Sequence, residues 1–327
     1  MEGDRSTITI DKFLGEGSTS NVYLCSYNAK KYAIKLLKDI PIAHSSFIQE
    51  TKSLNEISHP NITNIIRSGI SKVYSNDKII DNPYILLELA EKGELFNYIF
   101  YPKKGFSEAE SRFIFKQILF AVKACHDKNI AHLDIKTENI MLDSNWRIKL
   151  ADFGLSRITE DKNSLVNSFF GTETFLAPEV VAVPKKAYCP FQADIFSLGV
   201  TLFIIMTGNP PFKSARKFDI HYQYYIKKKE ELFWKIIKKN NSIVNEFSED
   251  TFDIFNKMFE SDPKKRISID ELLNHHWMKK ETATDEEMSK EFMKREEIVN
   301  EKRNQNVMID IEQKMKIDIY ENLEHSN

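Results

Sequence analysis

The sequence predicts an α+β fold of two unequal parts: a small β-rich N-terminal part with one main helix, then a larger, mostly helical part. Period-two alternation of apolar and polar residues is confined to the stretch before about Ala90, whereas capped helical runs fill the rest. Ala193 to Met206 is apolar nearly all round, the signature of a helix buried in the middle of a large core.

Thr7 to Leu14 alternates as a half-buried strand does, a glycine turn follows, and Val22-Tyr23-Leu24-Cys25 and Tyr32 to Leu37 complete a hairpin and a third strand. Phe47, Leu54 and Ile57 share one helical face, and Tyr84 to Leu89 is a short apolar run expected as a buried strand. Beyond it, Ser107-x-x-Glu110 is a capping box, with Phe113, Ile114, Ile118, Val122 and Cys125 behind it on one face. Ile140 to Leu142 and Ile148 to Leu150 flank a turn at Asp143 to Asn145 and read as a hairpin. The aromatics between Phe212 and Asn245, among them Tyr222, Tyr225, Phe233 and Trp234, are expected to pack beneath the larger part rather than form a docking patch. Ser268-x-x-Glu271 caps a further helix, after which charged residues dominate. The globular part is therefore expected to end near Lys280, giving parts at 8–90 and 91–278 and a tail at 279–327. That tail, from Glu281 to Asn327, holds 13 acidic and 7 basic residues, a formal −6. Met288, Phe292, Ile298 and Val299 have some helical spacing; the expectation is a solvated, partly helical tail, with packing onto the body or pairing with another protein as the alternatives.

Over 327 residues, 46 Lys+Arg nearly balance 48 Asp+Glu, for a formal charge of −2, so wrapping nucleic acid or coating an anionic membrane is not the main business of the chain. Hydrophobic residues make up 42%, enough to exclude a wholly disordered chain. Cys25, Cys125 and Cys189 are far apart and form no C-x-x-C pair, which points away from structural zinc and disulfides and toward a reducing compartment. The polar start, Met1-Glu2-Gly3-Asp4-Arg5, does not read as a secretory signal, and the apolar run from Gly199 to Met206 is short of the ~20 residues of a membrane span. A soluble cytoplasmic protein is expected, with nuclear entry open.

Gly15-Glu16-Gly17-Ser18-Thr19-Ser20-Asn21-Val22 lies between two strands, where glycine lets backbone N–H groups approach phosphate oxygens. It is not a Walker A loop, since no Gly-Lys-Ser/Thr follows, nor a dinucleotide fingerprint, since a strand follows it instead of a helix. Lys35 closes Tyr32-Ala33-Ile34-Lys35. Glu50 falls on the apolar face of the first helix, and a carboxylate there needs a cation; Lys35 is the candidate partner. The strongest cluster is His132-Leu133-Asp134-Ile135-Lys136-Thr137-Glu138-Asn139 followed, across the hairpin, by Asp152-Phe153-Gly154. The hairpin brings Asp134, Asn139 and Asp152 to neighbouring loop ends. Hard oxygen ligands with few protein donors suit Mg²⁺ holding a polyphosphate, and a lysine two residues from a carboxylate suits a transferring phosphoryl group.

In this order of motifs the chain resembles the eukaryotic protein kinase family over about residues 8 to 278. The glycine turn, Lys35, Glu50, the hinge run Leu86-Leu87-Glu88-Leu89-Ala90, the loop His132 to Asn139, Asp152-Phe153-Gly154, Gly171-Thr172, Ala177-Pro178-Glu179, Asp194 and Arg266 all fall in sequence. The resemblance implies a bilobal protein kinase fold and a Ser/Thr kinase that uses ATP and Mg²⁺. It implies that Asp134 accepts the substrate hydroxyl proton, that Lys136 neutralises the γ-phosphate, and that Asn139 and Asp152 hold the metal. Lys35, held by Glu50, would grip the α- and β-phosphates. The nucleotide would further meet Gly15, Glu16, Gly17, Ser18, Thr19, Ser20, Asn21, Glu88 and Glu94, with adenine among Leu14, Val22, Ala33, Leu87, Ala90 and Met141. Glu179 and Arg266 look like the family's buried ion pair.

Lys136 and Thr172 match the Ser/Thr-specific pattern. Gly93-Glu94-Leu95-Phe96 and Asp262-Pro263-x-x-Arg266-Ile267-Ser268 look like the calcium/calmodulin-dependent group, in which Glu94 and Glu138 would contact basic residues upstream of the phosphoacceptor and Thr172 would meet the substrate. Ser20 stands where a third glycine is usual, and Thr137 replaces a common proline. Leu133 replaces the arginine that in the family pairs with a phosphorylated activation loop, so activity is expected not to need loop phosphorylation. The acidic tail has the wrong sign for a calmodulin target, so protein substrates are the expected partners, without calmodulin, nucleic acid or membrane, and a monomer is expected. Two rivals are a catalytically silent scaffold, which would lack at least one of Lys35, Asp134, Asn139 and Asp152, and a small-molecule phosphotransferase, against which Thr172 and Ala177-Pro178-Glu179 argue.

Overall fold

The computed structural model describes residues 8–75, 78–168, 171–182 and 186–324. The N-terminal alternation folds into three antiparallel strands, β1 (Thr9–Glu16), β2 (Ser20–Tyr27) and β3 (Lys30–Leu37); Thr7, where the alternation begins, lies outside the described residues. Asn28 and Ala29, at φ 49° and 60°, make the two-residue turn whose twist matches the strands it joins. Helix α1 (Pro41–Glu56) opens with a proline in its first turn and is longer than its apolar stripe suggested. β4 (Ile65–Ser75) and β5 (Lys78–Glu88) finish a five-stranded sheet of order β1-β2-β3-β5-β4. The apolar run at Tyr84 is thus only the end of a longer strand.

The helical part follows: β6 (Gly93–Glu94), α2 (Leu95–Phe100), α3 (Glu108–Asp127), β7 (Ile130–Ala131), the hairpin β8 (Ile140–Leu142) and β9 (Ile148–Leu150), and β10 (Arg157–Ile158). Then come α4 (Pro178–Ala182), α5 (Pro190–Thr207), α6 (Gln223–Ile226), α7 (Glu230–Asn240), α8 (Glu249–Met258), α9 (Ile269–Asn274), α10 (His276–Lys279) and α11 (Asp285–Glu324). Both capping boxes form, at Ser107 with Glu110 and at Ser268 with Glu271. All of α5 but Gln192 is buried. The helix is long and apolar enough to cross a bilayer, yet nearly all of it is buried inside the protein.

One continuous core runs from α5 through α3 into Leu54 of α1, Ile57 just after that helix, and Ile85 and Leu87 of β5. The other face of the sheet carries a separate cluster of Cys25, Ile34, Tyr84 and Leu86. Tyr222, Tyr225, Phe233 and Trp234 pack into the main core as expected, while Phe218 stands exposed. The expectation of a solvated tail needs correction. Met288, Phe292 and Val299 of α11 are buried in the main core, and Arg295, on the same face, is 3% exposed. Spacings of four, three and four residues put these side chains on one stripe, and their burial carries the core past Lys280.

Candidate active site

A cleft of about 1030 Å³ opens between the sheet and the helical part. Its lining includes Leu14, Gly15, Glu16, Gly17, Ser18, Thr19, Ser20, Val22, Ala33, Lys35, Glu50, Leu87, Glu88, Ala90, Glu94, Asp134, Lys136, Glu138, Asn139, Met141, Asp152 and Thr172. Among the expected site residues only Asn21 is missing from the wall. It lies on β2 between Ser20 and Val22, which face the cleft, so strand alternation turns it to the other side.

On the sheet side, β3 holds Lys35 opposite Val22 and Ile85, beneath the glycine turn. Its Nζ donates to Glu50 Oε2 at 2.7 Å and Oε1 at 2.8 Å, and to Asp152 Oδ1 at 3.0 Å. Glu50, 2% exposed on the inner face of α1, therefore has the cation that its burial demands. Burial works against the charge on Lys35, but Asp152 and Glu50 overcome it and push its pKa up. The same Lys35 charge holds the Asp152 carboxyl below the usual range against its own desolvation. Asp152 sits at φ 62°, a left-handed conformation rare for a residue with a Cβ. Its neighbours maintain it: Phe153 is fully buried with its ring edge-on to His132 at 4.7 Å, and a Cβ on Gly154 would collide with Ser46 of α1.

On the helical side, the fully buried Asp194 near the start of α5 accepts hydrogen bonds from His132 N and Leu133 N, both at 2.8 Å, and lies 2.9 Å from His126 Nε2. These bonds fix the backbone of the loop, in which Leu133 is at φ 64°. His132 Nδ1 accepts from Asp134 N at 3.2 Å, so its Nε2, 3.1 Å from Ala151 O, carries the proton. Asn139 donates through Nδ2 to Asp134 O at 2.8 Å and Asp134 Oδ2 at 2.7 Å. Lys136 Nζ lies 2.9 Å from Asp134 Oδ2 and donates to Thr172 Oγ1 at 3.2 Å. Asp134, Lys136, Asn139 and Thr172 thus form one connected group.

The donor set can take a hard cation. Asn139 uses its amide nitrogen on Asp134, which leaves its carbonyl oxygen as an acceptor, and the Asp152 side chain is half exposed and anionic. Among the described residues no group of three His, Cys, Asp or Glu side chains is placed to hold a metal ion by itself.

Glu94 and Glu138 share the cleft mouth. Burial and the charge of Glu138 raise the Glu94 carboxyl, while Arg303 of α11 acts in the opposite sense. Arg303 Nη2 reaches within 3.2 Å of where a Cβ on Gly93 would sit. Sequence reasoning missed this guanidinium, and missed Lys149, which pairs with Glu88 at the hinge. Lys149 carried a signal, since a lysine inside the apolar run Ile148 to Leu150 requires a buried acid. Thr63 was missed as well; its Oγ1 is buried in the cleft wall without a protein partner. Away from the cleft, Arg266 grips Glu179 through two bonds of 2.7 and 2.8 Å and donates to Gln192 O at 2.6 Å, with its side chain fully buried.

Comparison with known families brings the same stretch to light: the protein kinase domain family matches residues 8–278. The chain belongs to the protein kinase family. Similar curated proteins include CBL-interacting protein kinase 26 of Oryza sativa subsp. japonica, 31% identical over 292 residues that cover 85% of this chain and 54% of the relative. CBL-interacting serine/threonine-protein kinase 9 of Arabidopsis thaliana is 34% identical over 276 residues, covering 82% and 56%. The chain spans about half the length of these curated relatives. In kinase terms, the sheet with α1 is the N-lobe and the part from β6 onward is the C-lobe.

Proposed function

We propose that this kinase transfers the γ-phosphoryl group of ATP to a serine or threonine hydroxyl of protein substrates, with Mg²⁺ as the cofactor. The observation that carries the reading is the connected group around Asp134, facing Lys35, Glu50 and Asp152 across the cleft. Asp134 keeps one carboxylate oxygen on Asn139 and Lys136 and offers the other to a hydroxyl proton. Lys136 stands beside it as a cation for the transferring group, and Lys35 meets the remaining phosphates. Asn139 and Asp152 would hold Mg²⁺, which would supply positive charge against the phosphates. A Cβ on Gly171 would lie 3.0 Å from Leu176 and 3.8 Å from Asp134 Oδ1, so glycine lets this segment run close beside the Asp134 carboxylate. Peptides incubated with radiolabelled ATP should gain label, and Asp134→Asn should cut the rate by about 10²–10⁴-fold with the fold intact. A labelling rate in this variant close to the parent's refutes the assignment.

Leu133 supports a kinase that works without a phosphate on its activation segment. That segment is already tied by the Glu173–Arg216 ion pair at 2.6 Å and by two backbone bonds between Val166 and Tyr188 of 2.9 and 3.0 Å. Phosphatase treatment should leave turnover within about two-fold, since one exposed charge pair contributes little; a collapse of turnover speaks against it. The burial of the α11 apolar stripe supports a kinase that needs no calmodulin, and we read it as a cytoplasmic monomer.

A further inference from the structure

A second cavity, of about 670 Å³, shares no residue with the cleft. Its walls come from α3, the β8–β9 turn, the loop at Pro60 and Asn61, and the residues around the start of α11. The apolar lining is Phe113, Phe120, Trp146 and Met288, and Phe120 is 44% exposed. The wall is built in advance of any ligand. Asn61 Nδ2 donates to Gln117 Oε1 at 3.1 Å and to Ile148 O at 3.0 Å, and Ile148 N donates to the same Gln117 oxygen at 3.1 Å.

Two cations, Lys116 and Arg147, line this apolar floor, and neither has an ion pair among the described residues. The one carboxylate of the lining, Asp285, pairs with neither. Unpaired positive charge beside exposed aromatic surface calls for an occupant that is apolar and acidic together.

We propose that this cavity docks a short acidic segment with bulky apolar side chains, supplied by a protein partner of the kinase. That the occupant is a peptide rests on the proposed function, while the cavity and its charge do not. The apolar side chains enter between Phe113, Phe120 and Met288, and flanking carboxylates meet Lys116 and Arg147. Asp285 opposes acidic residues on its side and so sets the register.

Fluorescence anisotropy of the full chain with three fluorescein-labelled hexapeptides, DELFED, KKLFKK and DESSED, tests this without turnover. DELFED should bind about ten-fold more tightly than either of the others, and added salt should weaken it. The double variant Lys116→Glu with Arg147→Glu should lose that advantage, as should Phe120→Ser, while Asp285→Asn should tighten binding about two-fold. Arg147 and Phe120 are exposed and Lys116 is half-buried, so the fold should survive, as unchanged melting curves would verify. Equal affinity for the three peptides, or DELFED binding that ignores these substitutions, overturns the proposal. A chain that binds DELFED but labels no peptide with phosphate sinks the kinase reading and leaves the docking site standing.

Discussion

Glu94 and Asp152 line the same cleft, but their surroundings push their carboxyls in opposite directions. Burial and Glu138 raise Glu94, whereas the Lys35 charge lowers Asp152. On acidification from neutral pH, Glu94 therefore takes up its proton first, and the charge to which the kinase resemblance assigns a basic substrate residue disappears while Asp152 is still ionised. The ratio of kcat/KM for a peptide with upstream arginine over its neutral counterpart should fall as pH falls through the raised Glu94 pKa. In Glu94→Gln the ratio should be low and flat with pH. A ratio that rises on acidification contradicts this assignment. Glu50 was legible because a carboxylate on an apolar helix face demands a cation, which pointed to Lys35, and Asp134, Asn139 and Asp152 were legible because a hairpin brings their loops together in the motif order of the kinase family. Arg303 was not legible, because an arginine among the charges of an acidic tail carries no local sign of the glycine it will lie against.

At the scale of elements, α11 gives the sharpest expectation. Phe292 is fully buried, stacked on Trp146 at 5.3 Å and packed against Tyr98 and Phe106 at 5.7 and 5.4 Å. Arg295 donates to Tyr98 O at 2.9 Å, Lys104 O at 2.7 Å and Gly105 O at 2.7 Å, and its guanidinium lies 3.7 Å from the centre of the Phe106 ring. The first turns of α11 thus close the carbonyls that α2 and the loop after it leave open. Phe292→Ala should cost about 3–5 kcal/mol through the cavity it leaves. Arg295→Met should cost about 2–3 kcal/mol, since the stem is replaced but carbonyls are left unpaired. Urea unfolding of the whole chain reads both, and midpoints within error of the parent would show that the helix merely rests on the surface. The sequence reading placed α11 outside the body because charged residues surround its stripe, and because Arg295, a member of that stripe, does not look like a core residue. The strand β4 escaped for a related reason: Ile65 to Ser75 is interrupted by Arg67, Ser68, Gly69, Ser71 and Lys72, and its pairing with β5 supplies what alternation does not. The helices α3 and α9, by contrast, announced themselves through capping boxes that are local in sequence and local in space.

Across the whole molecule the core is unevenly divided, and the division sets how the kinase opens. The main core joins the C-lobe to α1 and to the inner face of β5, whereas the outer face of the sheet has four buried residues of its own. Ile10, Phe13 and Leu14 of β1 are about half exposed. Strands β1 to β3 therefore have few apolar contacts to lose, and should open at lower free energy than α5, whose burial is nearly complete. The cleft offsets this, because Lys35 and the glycine turn can meet a nucleotide whose other contacts come from the C-lobe. On the proposed reading, ATP with Mg²⁺ at a hundred times its Kd stabilises the bound state by about 2.7 kcal/mol, which slows opening-limited exchange by about a hundred-fold. Native-state hydrogen exchange without nucleotide should show β1 to β3 exchanging faster than α5, whose slowest amides report the opening of the main core. The nucleotide should slow β1 to β3 by this factor, and α5 as well, because opening the main core also releases the nucleotide. Lys35→Met should weaken the slowing in both. If, without nucleotide, the slowest amides of β1 to β3 exchanged no faster than those of α5, the two lobes would be opening as a single unit, and the small outer cluster would not mark a separate boundary of stability.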